Sequence, residues 1–222
     1  MQDEKDLEEL IGLARRELYS AVIADTLDAL GWREQALSAA IRPLDDALVL
    51  CGWARVGLFL PIYEEDRHAY DEEIRLIDSL RPDEVPVLCC HGSLRLSVWG
   101  ELMSTRATYL KAAGLLTDGC VRDVRAIREM RFPVFAAGVN PTDTKCRGRL
   151  TVSDVQGRIG GVAVAPGDLV FGDADGVVVV PRAGARDVVA KALEKVRTED
   201  TVRDALRRGE TLGDVFRRHG VL

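Results

Sequence analysis

The sequence predicts a single α/β domain, and three observations carry that prediction. From Val85 onward, apolar strand-like runs alternate with helical patterns. Past Asn140, short β-runs follow one another between Gly, Pro and Asp turns. Both ends of the chain read as helix. The 222 residues suffice for one generous core, and 47% hydrophobic with 30% charged residues is ordinary globular composition. The expected organisation is one domain over 1–222, with a helical N-terminal segment over about 4–31 and C-terminal helices over about 183–219.

Each element has its own justification. Leu7, Leu10, Ile11, Ala14 and Leu18 recur at helical spacing, Ser20 is placed to cap a second helix, and Gly31 stops it. Val49, Leu50, Val56 and the run Leu58 to Pro61 read as buried strand. Then comes the alternation: VPVLCC as strand, a loop through HGSLRLSVWG, ELMSTRATYLKAAG as helix, LLTDG as strand, VRDVRAIREM as short helix and PVFAAG as strand. Such a β-α-β-α-β run implies parallel strands with right-handed crossovers, so both β-to-α loops open on one sheet edge, the edge where ligands bind in open α/β sheets. The tail carries an apolar stripe of Val188, Val189, Ala192, Leu193 and Val196.

The net charge of −6 gives no nucleic-acid footprint. From Arg182 to the end, ten Lys/Arg stand against seven Asp/Glu, interspersed as on a solvated helix face. Five cysteines without CxxC spacing, a polar acidic start and no apolar run of spanning length predict a cytoplasmic protein outside the membrane.

Two corners on the expected ligand edge carry chemistry. In WGELM, from Trp99 to Met103, a Gly-led turn enters a helix, whose unpaired N–H groups cradle an anion or simply receive a cap. In DGCVRDV, Arg122 and Asp123 sit side by side at the neighbouring corner. A cation, a hard oxygen ligand and an amide nest converging on one edge suit a metal-bound oxo acid. Asp173 and Asp175, in FGDADG, are read as a β-turn with Gly176 rather than as a metal site. His91 lies near the edge without a partner at ligand spacing, and Cys89, Cys90 and Cys120, lacking a nearby base, are read as packing.

Taken together, SAVIADTLDALG, IRPLDDALVLCGWARV, WGELMSTRA, TDGCVRDVRAIREMRFPVFAAG and PGDLVFGDADGVVVVP resemble, in this order, the family of regulator of ribonuclease activity A and 4-hydroxy-4-methyl-2-oxoglutarate aldolase. The resemblance implies an RraA-like α-β-β-α sandwich of the swivelling β/β/α type, assembled as a homotrimer or a dimer of trimers (a homohexamer) with sites between subunits. It implies a divalent-metal-dependent lyase, using Mg2+ or Mn2+, that releases pyruvate from a 4-hydroxy-2-oxo diacid and decarboxylates oxaloacetate. The family's other branch is noncatalytic and regulates a ribonuclease by protein contact. Residue by residue, Gly100, Glu101, Leu102 and Met103 match the turn that receives the substrate carboxylate, Arg122 the substrate-contacting arginine, and Asp123 the metal-holding carboxylate. Glu199 matches a glutamate that reaches a metal-bound water of the adjoining subunit, with Glu194 as the other candidate. The lead-in VLCCHGSLRLSVWG departs from the aldolase pattern. The loop Gly138 to Leu150 is individual too, and its Lys145, Arg147 and Arg149 are candidates to meet a distal carboxylate.

Overall fold

The computed structural model describes residues 2–220, with side chains from residue 9 on. Helices α1 (Gln2–Glu17) and α2 (Ser20–Ala29) open the chain. Strand β1 (Arg42–Pro43) and the long β2 (Leu50–Pro61) follow, then α3 (Asp71–Asp78), β3 (Glu84–Cys89), α4 (Glu101–Tyr109), β4 (Leu115–Thr117), β5 (Cys120–Val121), α5 (Val124–Met130), β6 (Val134–Ala136) and β7 (Gly138–Val139). A β-rich stretch holds β8 (Gly148–Ser153), β9 (Gly157–Ile159), β10 (Val162–Val164), β11 (Leu169–Asp173) and β12 (Gly176–Val180). Helices α6 (Ala185–Arg207) and α7 (Leu212–His219) close the fold.

The main sheet runs β1-β6-β4-β3-β2-β11-β12, with β8 on the far half of β2. Neighbours β2, β3, β4 and β6 are parallel, joined in turn by α3, α4 and α5; the outer pairings are antiparallel. The expected β-α-β-α-β unit is therefore present and gains a further β-α unit, β2 and α3, at its start. No pattern was read in the sequence over α3. The small β5 and β7 pair parallel to each other in a sheet of their own.

The parallel strands read as nearly continuous apolar runs because both faces are covered. Period-two alternation sorts them into layers. Val85, Val87 and Cys89 of β3, Phe135 of β6 and Val177 and Val179 of β12 share one face with Ile41, Ile159 and Val162. On the other face, Leu88, Leu115 and Val134 pack with α3, α4 and α5, while Phe171, Val178 and Val180 pack with α1, α2 and α6. Ile11, Ala14, Leu18 and Val188, Val189 and Ala192 are all buried in that last layer; Leu7 lies outside the described side chains.

Ser20 does not cap α2. Tyr19 occupies the cap position, and Ser20, the first helical residue, donates from its N–H and Oγ to Asp173 at 2.7 and 2.6 Å. The cap thus comes from the β11–β12 turn, where Asp173 also accepts from Asp175 N–H and Gly176 has φ +151°. The DADG stretch is a turn, as read. Among the described residues no helix is long and apolar enough to cross a membrane.

Candidate functional site

The loops following β2, β3 and β4 leave the same edge of the parallel sheet, and a cavity of about 140 Å3 lies where they meet. Its walls are Tyr70, Ser97, Trp99, Gly100 to Met103, Arg122, Asp123, Asp143 and Thr144. The two corners singled out in the sequence are therefore brought together.

A short backbone ladder sets their register. Val98 N–H donates to Cys120 O at 2.9 Å, Arg122 N–H to Trp99 O at 2.9 Å, and Asn140 N–H to Val121 O at 3.1 Å. Trp99 anchors this ladder from beneath: it is 1% exposed, stacks on Phe132 and donates from Nε1 to Ser104 Oγ at 2.8 Å. Buried indoles need such a partner.

Gly100 stands at the N-cap of α4, where it offers no side chain to the helix amides. Asp123 supplies the acceptor instead, its Oδ2 receiving Glu101 N–H at 3.1 Å. The glycine leaves room for this carboxylate, since a Cβ at residue 100 would stand 2.7 Å from Asp123 Oδ2 and push it aside. Leu102 and Met103, which line the cavity, belong to the same first turn, and their amides have no carbonyl of their own helix four residues back. They are the part of the amide nest that stays available to an anion.

Asp123 is not inside the first turn of α5 but at its cap, in left-handed backbone with φ 60° and ψ 32°. Aspartate is one of the few residues that tolerates this region. The consequence is that its carboxylate turns back toward α4 rather than serving α5. The side chain is about half exposed, and Oδ1 faces no hydrogen-bond donor among the described residues. Arg122 Nε stands 4.0 Å from Asp123 Oδ2, and its terminal nitrogen 3.4 Å from Asp143 Oδ2. The guanidinium lies between two aspartates, at the limit of pairing with one and closer to the other.

Asp143, Thr144 and Tyr70 were not anticipated. Burial opposes ionisation of Asp143, but the Thr144 hydroxyl and amide, Arg122 and Tyr70 together hold its carboxyl below the ordinary range. Burial and the neighbouring Asp143 push the Tyr70 phenol upward. The loop from Gly138 to Leu150 does reach the cavity, through Asp143 and Thr144. Its cations are engaged elsewhere: Lys145 pairs with Glu65, Arg149 with Asp66, and Arg147 donates to the carbonyls of Asp143 and Lys145.

Glu199 lies on α6, outside this chain's cavity. Its Oε2 accepts a hydrogen bond from Tyr19, and its Oε1 is 4.0 Å from Lys195 Nζ. Burial, then the bond to Glu199, pushes the Tyr19 phenol up to about 12. Glu194, also on α6, is not at the cavity either. His91 has φ 53° and lines a different, larger cavity of about 570 Å3 with Asp118 and Arg158. Cys51, Cys89, Cys90 and Cys120 are buried, and burial pushes the Cys51 and Cys89 thiols up to about 12, so packing accounts for them.

Among the described residues no three His, Cys, Asp or Glu side chains converge to hold an ion. A Mg2+ ion does not require such a cage, because it keeps most of its waters and takes one or two carboxylates. Asp123, half exposed beside a cavity and with Oδ1 undonated, fits that requirement; Asp118 and Asp173, whose oxygens accept two and three donors, do not.

Comparison with known proteins gives a consistent result. A family model described as "RraA-like: Aldolase/RraA" matches residues 20–179. The chain is 31% identical over 189 residues to a Halalkalibacterium halodurans protein named "Putative 4-hydroxy-4-methyl-2-oxoglutarate aldolase", covering 85% of this chain and 84% of that one. It is 33% identical over 193 residues to protein DlpA of Legionella pneumophila, covering 87% of this chain but spanning only 31% of DlpA. Among solved structures, RraAS2 of Streptomyces coelicolor, described as an unusual member of the RNase ES inhibitor RraA family, superposes with a TM-score of 0.80 at 30% identity, covering 88% of this chain and 96% of that one. The sheet with its flanking helices is the single-domain α/β fold of the swivelling β/β/α type, and this chain belongs to the RraA-like family.

Proposed function

We propose that this protein is a divalent-metal-dependent lyase that cleaves a C–C bond of a 2-oxo acid to release pyruvate, acting on 4-hydroxy-4-methyl-2-oxoglutarate or a related diacid and decarboxylating oxaloacetate. The observation that carries the reading is the half-exposed Asp123 carboxylate, with Oδ1 undonated, set beside Arg122 and the amides of α4 in one cavity. The similarity to a protein named as an aldolase over most of both chains supports it.

Aldol cleavage of such a diacid takes the proton from the C4 hydroxyl, breaks the C3–C4 bond and leaves the electron pair spread over C3 and the 2-oxo oxygen. Loss of carbon dioxide from oxaloacetate leaves the same electron pair. The protein's task is to stabilise that developing negative charge. A Mg2+ or Mn2+ ion held by Asp123 would supply Lewis-acid polarisation of the 2-oxo group. Arg122 adds a fixed positive charge and a planar donor fork for the substrate. The Leu102 and Met103 amides receive the C1 carboxylate at the start of α4. In this reading Asp123 holds the ion and takes no proton. Glu199, from a neighbouring subunit of a homotrimer or a dimer of trimers, orders the water that accepts the hydroxyl proton.

The test is turnover of oxaloacetate by purified protein with Mg2+ and with Mn2+, read by coupled pyruvate detection. The expected outcome is metal-dependent pyruvate release that Asp123→Ala abolishes. Equal turnover in excess chelator contradicts the reading. The likeness to RraAS2 favours a second reading, a noncatalytic regulator that binds a ribonuclease. It predicts stoichiometric capture of a purified ribonuclease, insensitive to Asp123→Ala, and no pyruvate release.

A further inference from the structure

Helix α3 carries the sequence DEEIRLID, and its burial is inverted relative to its chemistry. Ile74, the apolar residue near its start, is 55% exposed, whereas its neighbour Glu73 is 1% exposed. Glu73 thus holds the core position on the face that continues with the buried Leu76 and Ile77. Both of its carboxylate oxygens are buried with no hydrogen-bond partner. A carboxylate in such a place costs far more than an amide or a leucine, so its presence calls for a role.

Its position indicates one. Tyr70, one helical turn before it, lines the candidate cavity, and the charges that act on Glu73 are Asp143 and Arg122 of the same wall. Tyr70 and Cys90 feel Glu73 in turn. The other charged groups of the surrounding elements are held elsewhere: Arg106 of α4 by Asp78, Glu101 of α4 by Thr105, Arg149 of β8 by Asp66, Asp71 by His68, and Glu72 by Arg75 and Ser153.

Accepting the oxo-acid reading of the cavity, we infer that Glu73 is a positioning residue behind it, a core-buried carboxylic acid whose state of charge sets how strongly Arg122 draws an anionic ligand. With Glu73 neutral, Arg122 faces two carboxylates, Asp143 and Asp123. With Glu73 ionised a third negative charge acts on Arg122, from the protein side of a guanidinium whose outer part is water-exposed. Burial, reinforced by Asp143 and only partly opposed by Arg122, pushes the Glu73 carboxyl up to about 8. Below that pH the acid is neutral and the cavity takes anions; as pH rises through it, the added negative charge weakens them.

The experiment is calorimetric titration of oxalate, a stable 2-oxo-acid mimic, into the full-length protein with Mg2+ from pH 6.5 to 9.5. Wild type, Glu73→Gln and Glu73→Leu are compared, with folding checked by circular dichroism. The wild-type affinity should fall about tenfold around a midpoint near pH 8, and both variants should keep the low-pH affinity throughout. Burial moves the Tyr70 and Cys90 groups above their ordinary values, so they do not mimic this midpoint. A flat wild-type profile, the same alkaline loss in both variants, or loss of oxalate binding at pH 6.5 in both folded variants overturns the role of Glu73 while leaving the oxo-acid reading standing. Absence of oxalate binding by wild type at every pH overturns that reading, and this inference with it.

Discussion

Asp118 and Asp123 lie five residues apart on the same sheet edge, and they do opposite things. Asp118 is 7% exposed, and its two oxygens accept the amides of Cys90 and Gly92 at 2.5 and 2.9 Å. It ties the loop after β3 to the loop after β4. Asp123 is half exposed, gives one oxygen to the start of α4, and leaves the other without a donor. Both sit where ligands bind in open α/β folds, so location alone does not separate them. What separates them is how much acceptor capacity the backbone has already taken. Asp118 has both oxygens taken by backbone amides, whereas Asp123, held in left-handed backbone, keeps one oxygen to spare, and on the proposed reading that oxygen holds the ion.

Substitutions can break this contrast. On the proposed lyase reading the largest effect is expected for Asp123→Ala: kcat/KM for pyruvate release from oxaloacetate should fall by several powers of ten, because a bound divalent ion would be worth several kcal/mol to the transition state. Stability should change by only about 1 kcal/mol, the cost of one helix-start acceptor, measurable by urea unfolding. Comparable loss of fold and activity would erase the distinction between the two aspartates.

Glu73 extends the comparison to a carboxylate with neither amides nor solvent. Its carboxyl keeps its proton to about 8 in the folded chain, whereas the ordinary value is 4.5. The folded state therefore binds more protons between these values, and stability should fall as pH rises through this window and level off above about 8. The decline should amount to a few kcal/mol, and Glu73→Leu should remove this component in denaturation curves taken at pH 5 and pH 8.5.

For Asp118→Ala the expectation is reversed relative to Asp123→Ala: about 2–3 kcal/mol of lost stability from two stranded amides, with metal binding retained once the protein is folded. The smallest effect is expected for Gly100→Ala. The new Cβ would displace the Asp123 carboxylate, lowering kcat/KM about tenfold, with the loss read in steady-state kinetics and a stability cost of at most about 1 kcal/mol, that of the helix-start acceptor.

The alternating parallel core was legible because both-face burial writes itself as apolar runs and the intervening helices as 3.6-residue periodicity. The WGELM and VRD corners were legible as neighbours because the β-α-β-α-β order puts both β-to-α loops on one sheet edge, while residue type alone suited plain capping equally well. Tyr70, Asp143 and Thr144 were not, since they reach the cavity from the cap of α3 and from a loop with no helical or strand periodicity around its acid. Glu73 lies in a stretch whose sequence showed no clear pattern, and only packing against β8 and α4 decides which face of α3 turns inward. Ser20 was misread for a similar reason: its acceptor, Asp173, is 153 residues away in sequence.

The most direct test of the contrast between the two aspartates is a Mn2+ titration followed by the electron paramagnetic resonance signal of the free ion. Wild type, Asp123→Asn and Asp118→Asn are compared at equal folded concentration. The account predicts one ion bound per chain in wild type and in Asp118→Asn, and none in Asp123→Asn. Binding retained in Asp123→Asn, or lost in Asp118→Asn alone, contradicts it.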